Sequence, residues 1–191
     1  MKIASIALIS LILLLMISEK VHTIYLIGDS TVSTYDSSRY PRMGWGQVFR
    51  NFFDPSRIRV ENRAIPGRSS KSFYEEGHWS TIIDSLHPGD YVFIQFGHND
   101  EKTDTARHTD PYTSFKTYLR IYIDGSRAKG AYPILMTPVN RNKWKGNEIA
   151  NTHGEYVIAI RQLAAEKEVP LIDLFSSSRS LFDSLGKEYT T

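Results

Sequence analysis

Cysteine is absent from all 191 residues. That one absence excludes a thiolate nucleophile, a disulfide framework and any cysteine-ligated metal site. A block of like charge is missing as well. Lys+Arg total 23 and Asp+Glu 21, a net charge of +2 scattered along the chain. Composition therefore makes no electrostatic case for a nucleic-acid partner. There is no internal repeat, low-complexity tract or linker, so one domain with a substantial core is the simple organisation. Hydrophobic residues make up 41% and charged residues 23%, which excludes a disordered chain.

A hydrophobic run long enough for a permanent membrane span is also missing. Residues 3–17 are apolar except for Ser5 and Ser10, and they follow Lys2. This is short of the roughly 20 residues that cross a bilayer, and it has the charged-then-apolar pattern of a secretory signal peptide. The sequence predicts a leader over about residues 1–22, cleaved somewhere in 18–23, and a single domain over 23–191. An uncleaved N-terminal anchor is the alternative. The location expected is secreted or periplasmic, with no stable membrane association after cleavage. An exported chain without disulfides must rely on its core, which suits a compact α/β domain.

What is present begins with five short apolar runs, at 24–27, 58–60, 91–96, 134–136 and 169–174. The third, YVFIQF, is a nearly continuous aromatic and β-branched run, as expected of a strand covered on both faces. Pro133 opens the fourth, where a missing N–H is tolerated. Between the runs lie helical patterns. Tyr112, Phe115, Tyr118, Leu119, Tyr122 and Ile123 fall on one stripe, with Asp110 as N-cap, Pro111 at the first helical position and Gly130 past the end. Tyr156, Ile160, Leu163 and Ala164 share a second face, where Thr152 and Glu155 have the spacing of a capping box. This alternation predicts a parallel sheet with helices on both faces, which places ligands at the carboxyl ends of the strands.

Those strand ends carry polar groups or glycine in succession. Gly28-Asp29-Ser30 follows the first run, a loop containing Pro66-Gly67-Arg68 the second, Gly97-His98-Asn99-Asp100 the third, and TPVNR, ending at Arg141, the fourth. Acyl transfer needs such parts. A serine hydroxyl is a weak nucleophile that needs a base. The oxyanion it generates needs preorganised donors worth about 3 kcal/mol each. Ser30 can supply a hydroxyl and its own N–H, Gly67 an amide that approaches a ligand closely, and Asn99 a neutral side-chain N–H₂.

With those residues in view, the chain resembles the SGNH (GDSL-type) hydrolases. The stretches GDSTVSTYD, YPRMGWGQVF, GRSSKSF, FIQFGHND and HGEY look like the rhamnogalacturonan acetylesterase branch of that superfamily, from about Thr23 to Gly186. The resemblance implies a three-layer α/β/α, flavodoxin-like parallel sheet of about five strands. It implies Ser30 as nucleophile with Gly67 and Asn99 in the oxyanion hole, acting on an acetylated polysaccharide of the plant cell wall without a cofactor or metal. Asp29 and Asp100 are expected to hold their turns through backbone hydrogen bonds. Arg68 and His153 are expected at the substrate, and Arg68, Lys71, Arg42 and Arg141 could together attract an anionic pectin chain. Trp45 and the long helix's aromatics are expected in the core.

The pattern departs from that family at one block. A D-x-x-H after the fifth strand should supply the triad acid and base, but no histidine follows His153. The expectation is therefore a chain lacking the catalytic histidine loop and last helix, truncated relative to the family. Asp84 to His87 spells D-x-x-H but precedes the third strand. Six strand residues at about 3.3 Å each put it roughly 20 Å from Asn99, far beyond hydrogen-bond reach of Ser30. His98 corresponds to a position outside the triad. Two rival functions remain open: a base-less carbohydrate-binding relative, and a lipase- or thioesterase-like enzyme with an acyl-chain substrate.

Overall fold

A computed structural model describes residues 20–190. The predicted leader lies outside the described residues up to position 19. All five apolar runs form strands: β1 (His22–Gly28), β2 (Ile58–Asn62), β3 (Tyr91–Gln95), β4 (Tyr132–Met136) and, after a small hairpin of β5 (Trp144–Lys145) and β6 (Glu148–Ile149), β7 (Leu171–Ile172). The helices are α1 (Gly46–Phe49), α2 (Ser70–Glu75), α3 (His78–Ile83), α4 (Lys116–Ala128), α5 (Glu155–Glu166) and α6 (Leu174–Leu185). The main sheet runs β2-β1-β3-β4-β7 with every pair parallel. This is the strand order of flavodoxin-like sheets, which bind ligands where the order reverses beside the first strand.

Alternation along β1 divides the core between two faces. Tyr25 and Ile27 join Val92, Ile94 and Leu135 against Phe73, Trp79, Leu119, Tyr122, Ile160 and Leu163, which come from α2 to α5. Ile24 and Leu26 join Phe93 and Met136 on the other face, under Trp45, Phe49, Phe53 and Leu174. Each fully buried Leu, Ile or Phe contributes about 1.5–3 kcal/mol, so the sheet is stabilised chiefly by its central strands. Three layers result, as expected. Among the described residues, no helix is long and apolar enough to cross a membrane.

Helix starts show where local patterns hold and where they fail. Before α4, the Asp110 carboxylate accepts from the Tyr112 and Thr113 N–H groups, at 3.1 and 3.0 Å, and Pro111–Phe115 forms a π turn that runs into the helix. Of the predicted stripe, Phe115, Leu119, Tyr122 and Ile123 are buried, whereas Tyr112 is exposed. At α5 the expected capping box does not form. Asn151 Oδ1 accepts from the His153 and Gly154 N–H groups instead, and Thr152 Oγ1 accepts from Arg141. α6 has no counterpart in the sequence reading. Asp173 caps it by accepting from Ser176 N–H, and Phe175 N–H donates to Thr137 Oγ1 at the end of β4.

Candidate active site

The first strand ends in a turn that only glycine can open. A Cβ on Gly28 would lie 2.6 Å from the Gln95 carbonyl oxygen and 2.8 Å from Val32 Cγ2. Asp29 is fully buried, and its Oδ1 accepts from both the N–H and the Oγ of Thr31, each at 2.9 Å. The Asp29 carbonyl accepts from the Val32 and Ser33 N–H groups and from Ser33 Oγ. Asp29 thus holds the turn, as expected, and leaves half-buried Ser30 at its apex. Among the described residues, nothing hydrogen-bonds the Ser30 hydroxyl or its N–H.

A polar relay fixes this turn from below. Trp45 Nε1 donates to Gln95 Oε1 at 2.8 Å, Gln95 Nε2 donates to Thr31 Oγ1 at 2.6 Å, and that hydroxyl donates to Asp29. The donors all run in one direction and end on a carboxylate, so each bond polarises the next. Trp45 is brought to Gln95 by close backbone approach. A Cβ on Gly44 would lie 2.4 Å from the Ser33 carbonyl oxygen, and one on Gly46 2.4 Å from that of Val32. Gln95 was missed in the sequence, although a glutamine inside the apolar run YVFIQF was a readable signal.

Because β1 lies between β2 and β3, the loops after those strands flank Ser30. Ile65 N–H donates to the Gly28 carbonyl, which anchors the second loop beside the turn. Pro66 and Gly67 occupy the middle of a turn closed from Arg68 N–H to the Ile65 carbonyl, with Gly67 at φ +80° and open space where a Cβ would be. No described residue accepts the Gly67 N–H. Asn99 reaches across from the third loop and gives one amide N–H to the Arg68 carbonyl at 3.0 Å, which leaves its second N–H uncommitted. Asp100 clamps the same two loops. It accepts from Ser70 N–H and Oγ, Gly97 N–H and Thr109 Oγ1. The structure therefore places Ser30, Gly67 and Asn99 in the loops at the carboxyl ends of three adjacent strands, β1, β2 and β3.

Two imidazoles meet edge to face, with the His98 and His153 ring centroids 4.4 Å apart. His98 Nδ1 lies 3.5 Å from Asp29 Oδ2, and His153 Nδ1 lies 3.7 Å from Glu101 Oε2. His153 Nε2 pairs with the Val139 carbonyl at 3.0 Å. Burial and the nearby Arg141 guanidinium push both imidazoles down to about 3. Burial raises Asp29 to about 6, against the pull of its Thr31 hydrogen bonds and of Arg141, and raises Asp100 to about 7 against the pull of Ser70 and Thr109. The structure places His153, expected at the substrate, with its ring buried against His98 and the Val139 carbonyl. Arg141 is likewise absorbed. It donates to Glu101, to the His98 carbonyl and to Thr152, and so joins three loops.

The other predicted groups take outer positions. Arg68 pairs with Glu76 at 2.7 Å and Lys71 donates to the Thr105 carbonyl. Exposed His87 lies 3.8 Å from Asp90, at the start of β3 and away from Ser30. None of the chain's six histidines hydrogen-bonds Ser30. Among the described residues, no cluster of three or more histidines or carboxylates could hold a metal. A cavity of about 530 Å³, lined in part by His22, Phe52 and Ile58, opens at the opposite end of β1. An unencumbered hydroxyl at one strand end, with uncommitted N–H donors on the loops of the two neighbouring strands, is a residue set suited to attack on a carbonyl.

Comparison with known proteins shows the family. Residues 24–189 match the model of the family described as GDSL-like Lipase/Acylhydrolase. The chain is 48% identical over 166 residues to the Bacillus subtilis protein named "Probable rhamnogalacturonan acetylesterase YesY", covering 86% of this chain and 76% of that one. It is 42% identical over 166 residues to Rhamnogalacturonan acetylesterase RhgT of the same organism, covering 86% and 70%. The crystal structure of YxiM, also from B. subtilis, superposes with a TM-score of 0.76 at 34% identity. That match covers 90% of this chain and 48% of the YxiM chain, so the present chain spans about half of YxiM.

Proposed function

This chain belongs to the GDSL-like lipase/acylhydrolase family, and we propose that it is a serine esterase removing O-acetyl groups from rhamnogalacturonan-type pectin. What supports the chemistry is an unencumbered Ser30 hydroxyl after β1, with uncommitted donors on Gly67 and Asn99 in the loops after β2 and β3, the strands on either side of β1. The names of the relatives at 48% and 42% identity supply the substrate class.

In this reading Ser30 Oγ bonds to the acetyl carbon as its proton passes to a solvent water, and the carbonyl π pair moves onto oxygen. The Ser30 and Gly67 N–H groups and the free Asn99 N–H receive that oxyanion, and each donor contributes about 3 kcal/mol to the transition state. When the π bond reforms, the sugar oxygen leaves and takes up a proton. Water then releases acetate from Ser30 by the same steps. The Thr31–Asp29 bonds and the Gln95 relay keep the turn from shifting as charge develops. We further propose a secreted or periplasmic location, supported by the leader pattern of residues 1–22.

One observation favours a second reading: no histidine touches Ser30, as expected of a carbohydrate-binding relative without catalysis. Hydrolysis of 4-nitrophenyl acetate separates the two. The esterase reading expects measurable turnover that Ser30→Ala lowers about 10³-fold or more. Wild-type and Ser30→Ala protein both at the buffer rate, with pectin binding retained, would establish the binding protein instead. Rates that rise from the acetate to the octanoate ester would point to an acyl-chain substrate.

A further inference from the structure

We propose that Arg42 forms a subsite for a uronate carboxylate of the polysaccharide, an inference that rests on the acetylesterase reading above. Four basic residues lie at or near the strand-end loops, and the structure removes three of them. Arg68 is paired with Glu76, Lys71 is bound to the Thr105 carbonyl, and Arg141 is tied to Glu101, His98 and Thr152. Arg42 differs. Among the described residues, no carboxylate or carbonyl accepts from its guanidinium, which lies over the Tyr35 ring with Cζ 4.8 Å from the centroid.

That ring is fixed to the nucleophile. Tyr35 donates its hydroxyl to the Ser30 carbonyl at 3.0 Å and its N–H to Gln47 Oε1 at 3.0 Å. The loop carrying both residues is closed at its base, where Gly44 N–H donates to the Ser33 carbonyl and Trp45 N–H to that of Thr31. Arg42 N–H donates to the Arg39 carbonyl, which sets the returning limb. A guanidinium stacked on an aromatic face keeps its in-plane N–H groups available for a bidentate carboxylate. Because ring and loop are already ordered, little conformational freedom remains to be lost when the anion arrives. A rhamnogalacturonan backbone carries such a carboxylate on its galacturonate residues. A cation stacked on the ring whose hydroxyl donates to the Ser30 carbonyl is placed to read a uronate near the sugar whose acetyl group Ser30 attacks.

Four titrations followed by NMR test this. Wild-type protein and Arg42→Gln are each titrated with an acetylated rhamnogalacturonan oligosaccharide and with the same oligosaccharide after reduction of its carboxylates to alcohols. Loss of one charge-assisted pair predicts about tenfold or greater weakening of the acidic ligand by Arg42→Gln, with equal affinities of the two proteins for the reduced ligand. Arg42→Lys retains the charge without the planar fork and should fall in between. Equal affinity of wild type and Arg42→Gln for the acidic ligand, or the same weakening on both ligands, overturns the subsite while leaving the esterase reading intact. Wild-type protein that binds neither ligand overturns the substrate class, and this subsite with it.

Discussion

Asp29 and Asp100 are both fully buried aspartates at neighbouring strand ends, yet the loops around them treat them differently. Both oxygens of Asp100 are engaged by donors from Ser70, Gly97 and Thr109, which pin the third loop to α2. Asp29 has one satisfied oxygen, whereas Oδ2 has no hydrogen-bond partner among the described residues and faces His98 Nδ1 at 3.5 Å. A saturated buried carboxylate is a structural clamp. A half-satisfied one beside a titratable ring keeps electrostatic freedom next to the reacting group.

Asparagine substitutions sharpen this contrast, and the largest effect is expected at Asp100. Either orientation of an amide in Asp100→Asn turns an N–H₂ toward groups that themselves donate. At about 1–3 kcal/mol per unpaired buried donor, the loss should be on the order of 3 kcal/mol in urea unfolding at pH 8. A loss below about 1 kcal/mol would show that Asp100 is no clamp.

His153→Gln comes next, because glutamine can still donate to the Val139 carbonyl. The imidazole's folded value, about 3, lies below its ordinary 6.5. Its contribution to stability is therefore fully present above pH 6.5 and is lost as pH falls toward 3. Between pH 6.5 and 4, wild type should lose stability relative to His153→Gln. Parallel pH profiles from chemical denaturation would refute a buried neutral ring.

Asp29→Asn should have the smallest effect, within about 1 kcal/mol. The retained oxygen still accepts from Thr31, and the new N–H₂ faces His98 Nδ1 as a donor. Its pH trend has the opposite sign. Asp29 is raised from 3.8 to about 6, so its contribution is present below pH 3.8 and lost as pH rises through 6. Unfolding from pH 4 to 7 should therefore show wild type losing ground to Asp29→Asn. The opposite slope would mean that the carboxylate is ionised in the folded state throughout.

Much of the scaffold was legible. The five apolar runs became the five parallel strands, and Ser30, Gly67 and Asn99 could be placed because each lies in the loop that follows a strand. Most of the failures share one cause. Thr152 and Glu155 have capping-box spacing, but Arg141, eleven residues upstream, takes the Thr152 hydroxyl. His153 was expected at a helix start near the substrate, and its ring lies buried beside His98, Val139 and Glu101. Gln95 sat unnoticed in an apolar strand because its partners, Trp45 and Thr31, lie in distant stretches of sequence. α6 was overlooked although its Asp173 cap is local; only its anchor, Phe175 N–H to Thr137 Oγ1, lies at the end of another strand.

The sequence by itself determined the order of strands and helices, the parallel sheet and the identity of the residues at the strand ends. Those features follow from periodicity and backbone chemistry within a few residues of one another. Only the tertiary structure decided which charged and polar side chains stay free. Lys71, Arg141 and His153 were taken up by partners distant in the sequence and Arg68 by Glu76, whereas Arg42 was left on the Tyr35 ring. Hydrogen bonding and desolvation depend on neighbours within a few ångströms, and those neighbours exist only once the chain has closed on itself.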